Sequence, residues 1–144
     1  MENNDTVLLL KECDSGTKMA VSSIDEVLEK ITDPDMRRLL SKSRNHHEQL
    51  GNEIHSLLIR YDSEEKDPGL MAKGMSWLKT NMKISMDESN ASVAELMTDG
   101  CDMGIKSLYQ YLNQYQSADR TSKEICKKLI SIEEEFRRDL HCYL

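Results

Sequence analysis

Apolar side chains recur every three or four residues along four long stretches of this chain. In the first, Leu10, Cys13, Thr17, Ala20, Ile24, Val27 and Ile31 share one helical stripe. Glu2, Lys11, Lys18, Glu26 and Lys30 fall mostly off it, which is the amphipathic pattern of a helix with one buried face. Asn4, Asp5 and Thr6 suit its N-cap, and the pattern predicts a helix ending near Ile31. Thr32-Asp33-Pro34-Asp35 then stops one helix and starts the next. Asp33 can cap, Pro34 fits the first helical position, and Asp35 favours the positive end of the helix dipole.

The second stripe is Met36, Leu40, Ser43, His47, Leu50, Ile54 and Leu57, in a helix predicted to reach about Arg60. Such a short connection makes the two helices antiparallel neighbours. A third helix is predicted from Ser89 or Asn90, with Ala94, Met97, Cys101, Gly104, Leu108, Tyr111 and Tyr115 facing in. Ser117-Ala118-Asp119 repeats the turn chemistry of Asp33-Pro34-Asp35. The fourth helix places Cys126, Leu129, Glu133, Phe136, Leu140 and Tyr143 inside, flanked by Ile125 and Ile132. It is predicted to run almost to the last residue.

Between the two hairpins, Asp62 to Gly69 reads as a solvated turn. A short amphipathic helix follows, with Met71, Met75, Leu78 and Met82 on one face. With Trp77, this face is expected to cover the open side or end of the bundle, or to form an adaptable Met-rich binding surface. A helix of about 27 residues is about 40 Å long. A crossover of roughly 30 residues spans that distance, so the second and third helices can run parallel.

The halves resemble one another. Gly16, Met19, Ser23, Leu28 and Asp35 match Gly100, Met103, Ser107, Leu112 and Asp119 at an offset of 84 positions. Lys42, Glu48, His55 and Leu58 match Lys128, Glu134, His141 and Leu144 at an offset of 86. The same order of matches suggests one helical hairpin used twice. The expected organisation is a single domain over residues 1–144. Its first hairpin covers about 5–60, its crossover 61–89 and its second hairpin about 90–144.

Composition narrows the class. Gly (6) and Pro (2) are scarce and aromatics are 5%, which favours long helices over many short strands. A net charge of −7 argues against nucleic acid as the main partner, since phosphate contacts need clustered Lys and Arg. Cys13, Cys101, Cys126 and Cys142 form no CxxC pair and read as reduced thiols, so a cytoplasmic protein is expected. The start lacks a basic n-region and does not read as a signal peptide. No apolar run approaches the roughly 18 residues of a membrane span.

Two hairpins joined by one long crossover form the ferritin-like arrangement of a four-helix bundle. Leu9-Leu10-Lys11-Glu12-Cys13-Asp14-Ser15-Gly16 opens the first helix, followed by the Asp-Pro turn. Gly74-Met75-Ser76-Trp77-Leu78-Lys79 lies in the crossover, and Glu95-Leu96-Met97-Thr98-Asp99-Gly100 leads the third helix. On these segments the chain resembles ferritin-like families of small bacterial bundles, above all the uncharacterised DUF2383 family. The resemblance implies an all-α, ferritin-like fold in a bacterial protein without an established activity.

That fold often carries a di-iron centre, built from lone glutamates and Glu-x-x-His pairs. Glu12 and Glu95 could serve as the lone glutamates, at the edges of their stripes. The pairs fail: Ser43, Arg44, Asn52 and Arg138 stand three residues before His46, His47, His55 and His141. No nucleophile elbow, phosphate-binding glycine loop or HExxH is present. What survives is one polar layer across the apolar core: Thr17, His47, Cys101 and Glu133. It reads as a hydrogen-bonded network pairing His47 with Glu133, or as a stripe displaced by one residue that lets either reach solvent. A third reading is a mononuclear metal site of His47, Cys101 and Glu133 with a water ligand. His46 and His47 point about 100° apart on a helix, so at most one faces inward.

No cofactor is therefore predicted. The leading expectation is a non-enzymatic interaction or structural protein, self-associating or binding a protein partner, without nucleic acid or membrane. The alternatives are a metal-binding or redox protein holding iron or zinc at a non-standard core site, and a bundle that binds a small molecule in its core. A large unfilled pocket would favour the last.

Overall fold

The computed structural model describes residues 4–61 and 89–144. The solvated turn and the short Met71–Met82 helix with Trp77 lie outside the described residues. Those residues form an all-helical four-helix bundle with no strand among them. Helix α1 is Asn4–Leu28, α2 is Pro34–Arg60, α3 is Asn90–Gln114 and α4 is Arg120–Leu140. One 3₁₀ turn, His141–Tyr143, follows α4.

The caps follow the turn chemistry. The Asp33 carboxylate accepts from the Met36 N–H at 2.9 Å, with Pro34 as the first residue of α2. Asp119 accepts from the Ser122 N–H at 2.8 Å and starts α4 in the same way. Ser89 caps α3 through the Ser92 N–H. Each bond satisfies one of the orphan donors at a helix start.

Two boundaries depart from expectation. Helix α1 ends at Leu28 rather than Ile31. Arg37 reaches back from the first turn of α2 and donates to the carbonyls of Leu28 and Ile31, the latter at 2.9 Å. It thus supplies a donor to the Leu28 carbonyl, which the ended helix leaves open, and another to the Ile31 carbonyl in the turn beyond it. Ile31 remains buried beyond the helix end. At the other terminus, Asn4, Asp5 and Thr6 lie inside α1 rather than capping it. Thr6 Oγ1 accepts from the Asp119 N–H at 2.8 Å, and Asp5 accepts from the Ser117 N–H at 3.0 Å. They satisfy the turn of the second hairpin instead.

These contacts fix the topology. The Tyr61 hydroxyl also donates to Asp119, at 3.0 Å. The start of α1, the end of α2 and the α3–α4 turn therefore share one end of the bundle. At the opposite end Ile31, Met36, Val93 and Leu140 belong to one apolar cluster. Helices α1 and α4 run one way, and α2 and α3 the other.

The core is divided into two parts. One cluster, around Leu9, Leu10, Ile54 and Leu129, fills the Tyr61 end. The other, around Ile24, Leu40, Met97 and Phe136, fills the far end. Each fully buried side chain of this size contributes roughly 1.5–3 kcal/mol of hydrophobic stabilisation. Between the clusters the inward positions are polar or small: Ser43, His47, Gly104 and Glu133. The expected stripes are largely those observed, with Leu58 more buried than Leu57. Ala20, Gly104 and Tyr111 are only half-buried, because they face the space between α1 and α3, and Tyr115 is half-buried too.

Candidate functional site

His47 comes from the middle of α2 and Glu133 from the middle of α4. Their helices belong to different hairpins, and both side chains point between the two apolar clusters. His47 is completely buried. Its Nε2–H donates to Glu133 Oε1 at 2.6 Å. Its Nδ1–H donates to the Ser43 carbonyl, one turn earlier in α2, at 2.8 Å. Both ring nitrogens face oxygen acceptors, so the imidazolium form satisfies both bonds. Burial pushes the His47 pKa down most strongly, but the Glu133 hydrogen bond and charge, with the Ser43 carbonyl, bring it above its ordinary value. The result is a charge-assisted hydrogen bond in a low-dielectric core.

The other two members of the layer behave differently. Cys101 is buried beside Glu133. Burial, then the Glu133 charge and hydrogen bond, push its thiol far above the usual range. It stays a neutral thiol rather than an activated nucleophile. Thr17 is also buried but turns its hydroxyl onto its own helix, donating to the Asp14 carbonyl at 2.9 Å. A Cβ on Gly51 would lie 3.1 Å from Thr17 Oγ1, so α2 passes very close to α1 here. Of the four layer residues, Thr17 thus stands outside the His47–Glu133 bond.

Above the pair, α1 and α3 part. A half-open cleft of about 210 Å³ separates them, with His47, Cys101 and Glu133 among its lining residues. Gly16, Met19 and Ser23 on α1 and Gly100, Met103 and Ser107 on α3, which match in sequence at an offset of 84 positions, are among its lining residues. Glu12 and Tyr111 line it toward the Tyr61 end, and Ile24, Met97 and Phe136 toward the other. The small residues leave room beside the helices, while the methionines and aromatics provide a mostly apolar lining. A cavity of about 150 Å³ lined by apolar side chains is enough to take up benzene.

The metal donors expected of a ferritin-like core are not brought together. Glu12 lines the cleft, but Glu95 is exposed on α3. Among the described residues, no three His, Cys, Asp or Glu side chains converge where they could hold a metal ion. The described residues therefore do not fit a di-iron centre. His47 is bonded to Glu133 and Cys101 lies beside Glu133, but both nitrogens of His47 are already engaged. His46 is half-buried outside the layer, while His55 and His141 are exposed.

Sequence reasoning missed a second contact. Cys13 of α1 and Cys126 of α4 are buried and interact side chain to side chain. The hydrogen bond with Cys126, then burial, raises the Cys13 thiol well above its ordinary value. Cys126 also donates to the Leu108 carbonyl at 3.7 Å. Each cysteine lies on its expected stripe, but stripes do not specify which pairs meet across helices.

No family model matches the chain, and no curated protein or solved structure matches it. The class is therefore the one the helices define, an all-α four-helix bundle. No helix among the described residues is long and apolar enough to cross a membrane.

Proposed function

We propose that this is a non-enzymatic, ferritin-like bundle of the DUF2383 kind that binds a small, mostly apolar molecule between α1 and α3. The observation that carries this reading is the cleft of about 210 Å³ over the His47–Glu133 pair. The small residues at matching positions of the two hairpins support it, because both walls are kept open by the same pattern. The pair contributes a rigid polar floor, and the neutral Cys101 thiol gives it no activated nucleophile. The buried, unoxidised Cys13, Cys101 and Cys126 accord with a cytoplasmic setting.

The test is a titration of the full chain with benzyl alcohol, read from the methyl resonances of ¹³C-labelled methionine. Met19, Met97 and Met103 line the cleft and are expected to shift in a saturable way. Ala20→Leu places a larger side chain in the same space and is expected to abolish those shifts in a folded protein. Unchanged resonances at all three methionines would overturn the reading. Self-association is the competing proposal, and sedimentation equilibrium decides it. Among the described residues, the exposed apolar side chains Ile59, Met103, Tyr109 and Leu144 are compatible with it.

A further inference from the structure

The cleft meets the buried pair beside a glycine. Gly104 of α3 and Glu133 of α4 both line it. A Cβ added at Gly104 would lie 3.6 Å from Glu133 Cδ and Oε2, and 4.0 Å from Oε1. The place where another residue would carry its side chain is therefore an open spot directly against the carboxylate. A larger residue at this position would cover the carboxylate with hydrocarbon. With glycine, a bound molecule can put one of its own atoms there.

Glu133 is also the member of the pair that a ligand can reach. Its side chain keeps 12% of its surface exposed, whereas that of His47 keeps none. Oε1 accepts from the His47 Nε2–H, and the Cys101 thiol donates to the same carboxylate. An ionised carboxylate has about four acceptor sites and no donor, so these two bonds leave capacity for a third. A group seated against it must donate, because an acceptor there would lose its water and gain no bond. The imidazolium of His47 already balances the Glu133 charge. A hydroxyl gains the bond without the desolvation cost of a second charge. The apolar remainder of such a molecule meets Ile24, Met97 and Phe136, which line the cleft and belong to the far apolar cluster.

Resting on the proposed binding role of the cleft, we infer that its ligand is an apolar molecule with a neutral hydroxyl, which it donates to Glu133 across the open spot at Gly104. This assigns the cleft a ligand class. It also gives Gly104 the role of specificity-determining residue, since the missing side chain is what leaves the acceptor uncovered.

Two probes with the same ring and the same number of heavy atoms test it. Benzyl alcohol donates a hydrogen bond, and benzonitrile only accepts one. The methyl shifts of Met19, Met97 and Met103 report each affinity in the full chain. The alcohol is expected to bind about tenfold more tightly than the nitrile, the factor that one hydrogen bond to a charged group supplies. Gly104→Ala fills the spot with a methyl at ordinary contact distance and removes a glycine from a helix interior, so the variant is expected to fold. It should lower the alcohol's affinity about tenfold and leave that of the nitrile within about twofold. Equal affinities of the two probes for the wild type, or a preference for the alcohol that survives Gly104→Ala, would overturn the donor assignment while the cleft remains a binding site. Equal loss of both probes in Gly104→Ala would make the glycine a matter of room alone and overturn its role in selection. If neither probe shifts the methyls of the wild type, the binding role falls and this inference falls with it.

Discussion

His47 Nε2 lies 2.6 Å from Glu133 Oε1, the short hydrogen bond that ties the first hairpin to the second at mid-height of the bundle. It sits in the gap between two apolar clusters rather than within either. Both of its helices have regular apolar stripes above and below the pair, so a shift of one turn would bury charge against hydrocarbon. The pair thus specifies which turn of α2 meets which turn of α4.

Breaking the pair from one side leaves a buried ionisable group without its partner. Glu133→Ala is expected to lower unfolding free energy by about 3–5 kcal/mol, because the buried His47 loses its counter-charge. The double variant His47→Leu with Glu133→Leu should recover much of that loss, since an apolar pair needs no compensation in the core. Urea denaturation of the wild type, the single variant and the double variant measures both effects. A single variant as stable as the wild type would show that the pair is not needed for stability.

The pair also sets a direction for stability against pH. His47 has a raised pKa in the folded protein, with burial pushing it down and Glu133 and Ser43 outweighing that effect. Its contribution is fully present below the unfolded value of about 6.5 and is lost as pH rises through the raised folded value. Asp119 works in the opposite sense. Burial pushes its carboxyl up, but hydrogen bonds from Ser122 and Tyr61 hold it below the ordinary value. Its contribution is present above the unfolded value of about 3.9 and is lost as pH falls through the folded one. These two groups alone place the greatest stability between about pH 4 and 6.5. Urea midpoints across the range should decline on the alkaline side in the wild type and less in His47→Gln. An identical alkaline slope in both proteins would remove His47 as the cause.

Much of this architecture was legible because it depends on local spacing. The stripes on α1 and α2 follow helical periodicity, and Asp33 and Asp119 cap by reaching only three residues ahead. The placing of His47 in one layer with Glu133 followed from the offset of 86 positions at which the two hairpins match. What stayed hidden depends on distances between helices. Arg37 reads as a surface residue until the end of α1 comes within its reach. Thr6 reads as a cap for its own helix, yet it satisfies an N–H in a turn more than a hundred residues later. Gly16, Ala20 and Ser23 are as suitable for close helix packing as for an open cleft. Only the spacing of α1 and α3 decides between these, and no periodicity encodes it.

Gly16 tests whether that small residue is there for space or for packing. It lies inside α1, where glycine is less favourable than alanine by roughly 0.5–1 kcal/mol. A Cβ at this position would sit 3.5 Å from Leu129 Cδ2, an ordinary contact. Gly16→Ala is therefore expected to stabilise the protein by about 0.5–1 kcal/mol and to raise its Tm by a few degrees. Thermal unfolding followed by circular dichroism measures this. A lower Tm would mean that α1 must approach its neighbours more closely than the cleft geometry allows.

The four thiols give an independent measure of how tightly the bundle closes. Cys142 is exposed in the turn after α4, whereas Cys13, Cys101 and Cys126 are buried. The Cys126 hydrogen bond and then burial raise the Cys13 thiol, and burial raises that of Cys101, so these two have little thiolate to react. With a neutral disulfide reagent at pH 8, one thiol per chain is expected to react quickly, and Cys142→Ser should remove that phase. The remaining three should react only as fast as the core opens, and all four at once in denaturant. Cys101 is the informative one, because it lines the cleft as well as the core. If Cys101 reacts ahead of Cys13 and Cys126, the cleft admits a small molecule to its floor. A ligand seated there should then slow Cys101 selectively. Equal protection of the three buried thiols would mean that reagent reaches Cys101 only when the whole bundle opens.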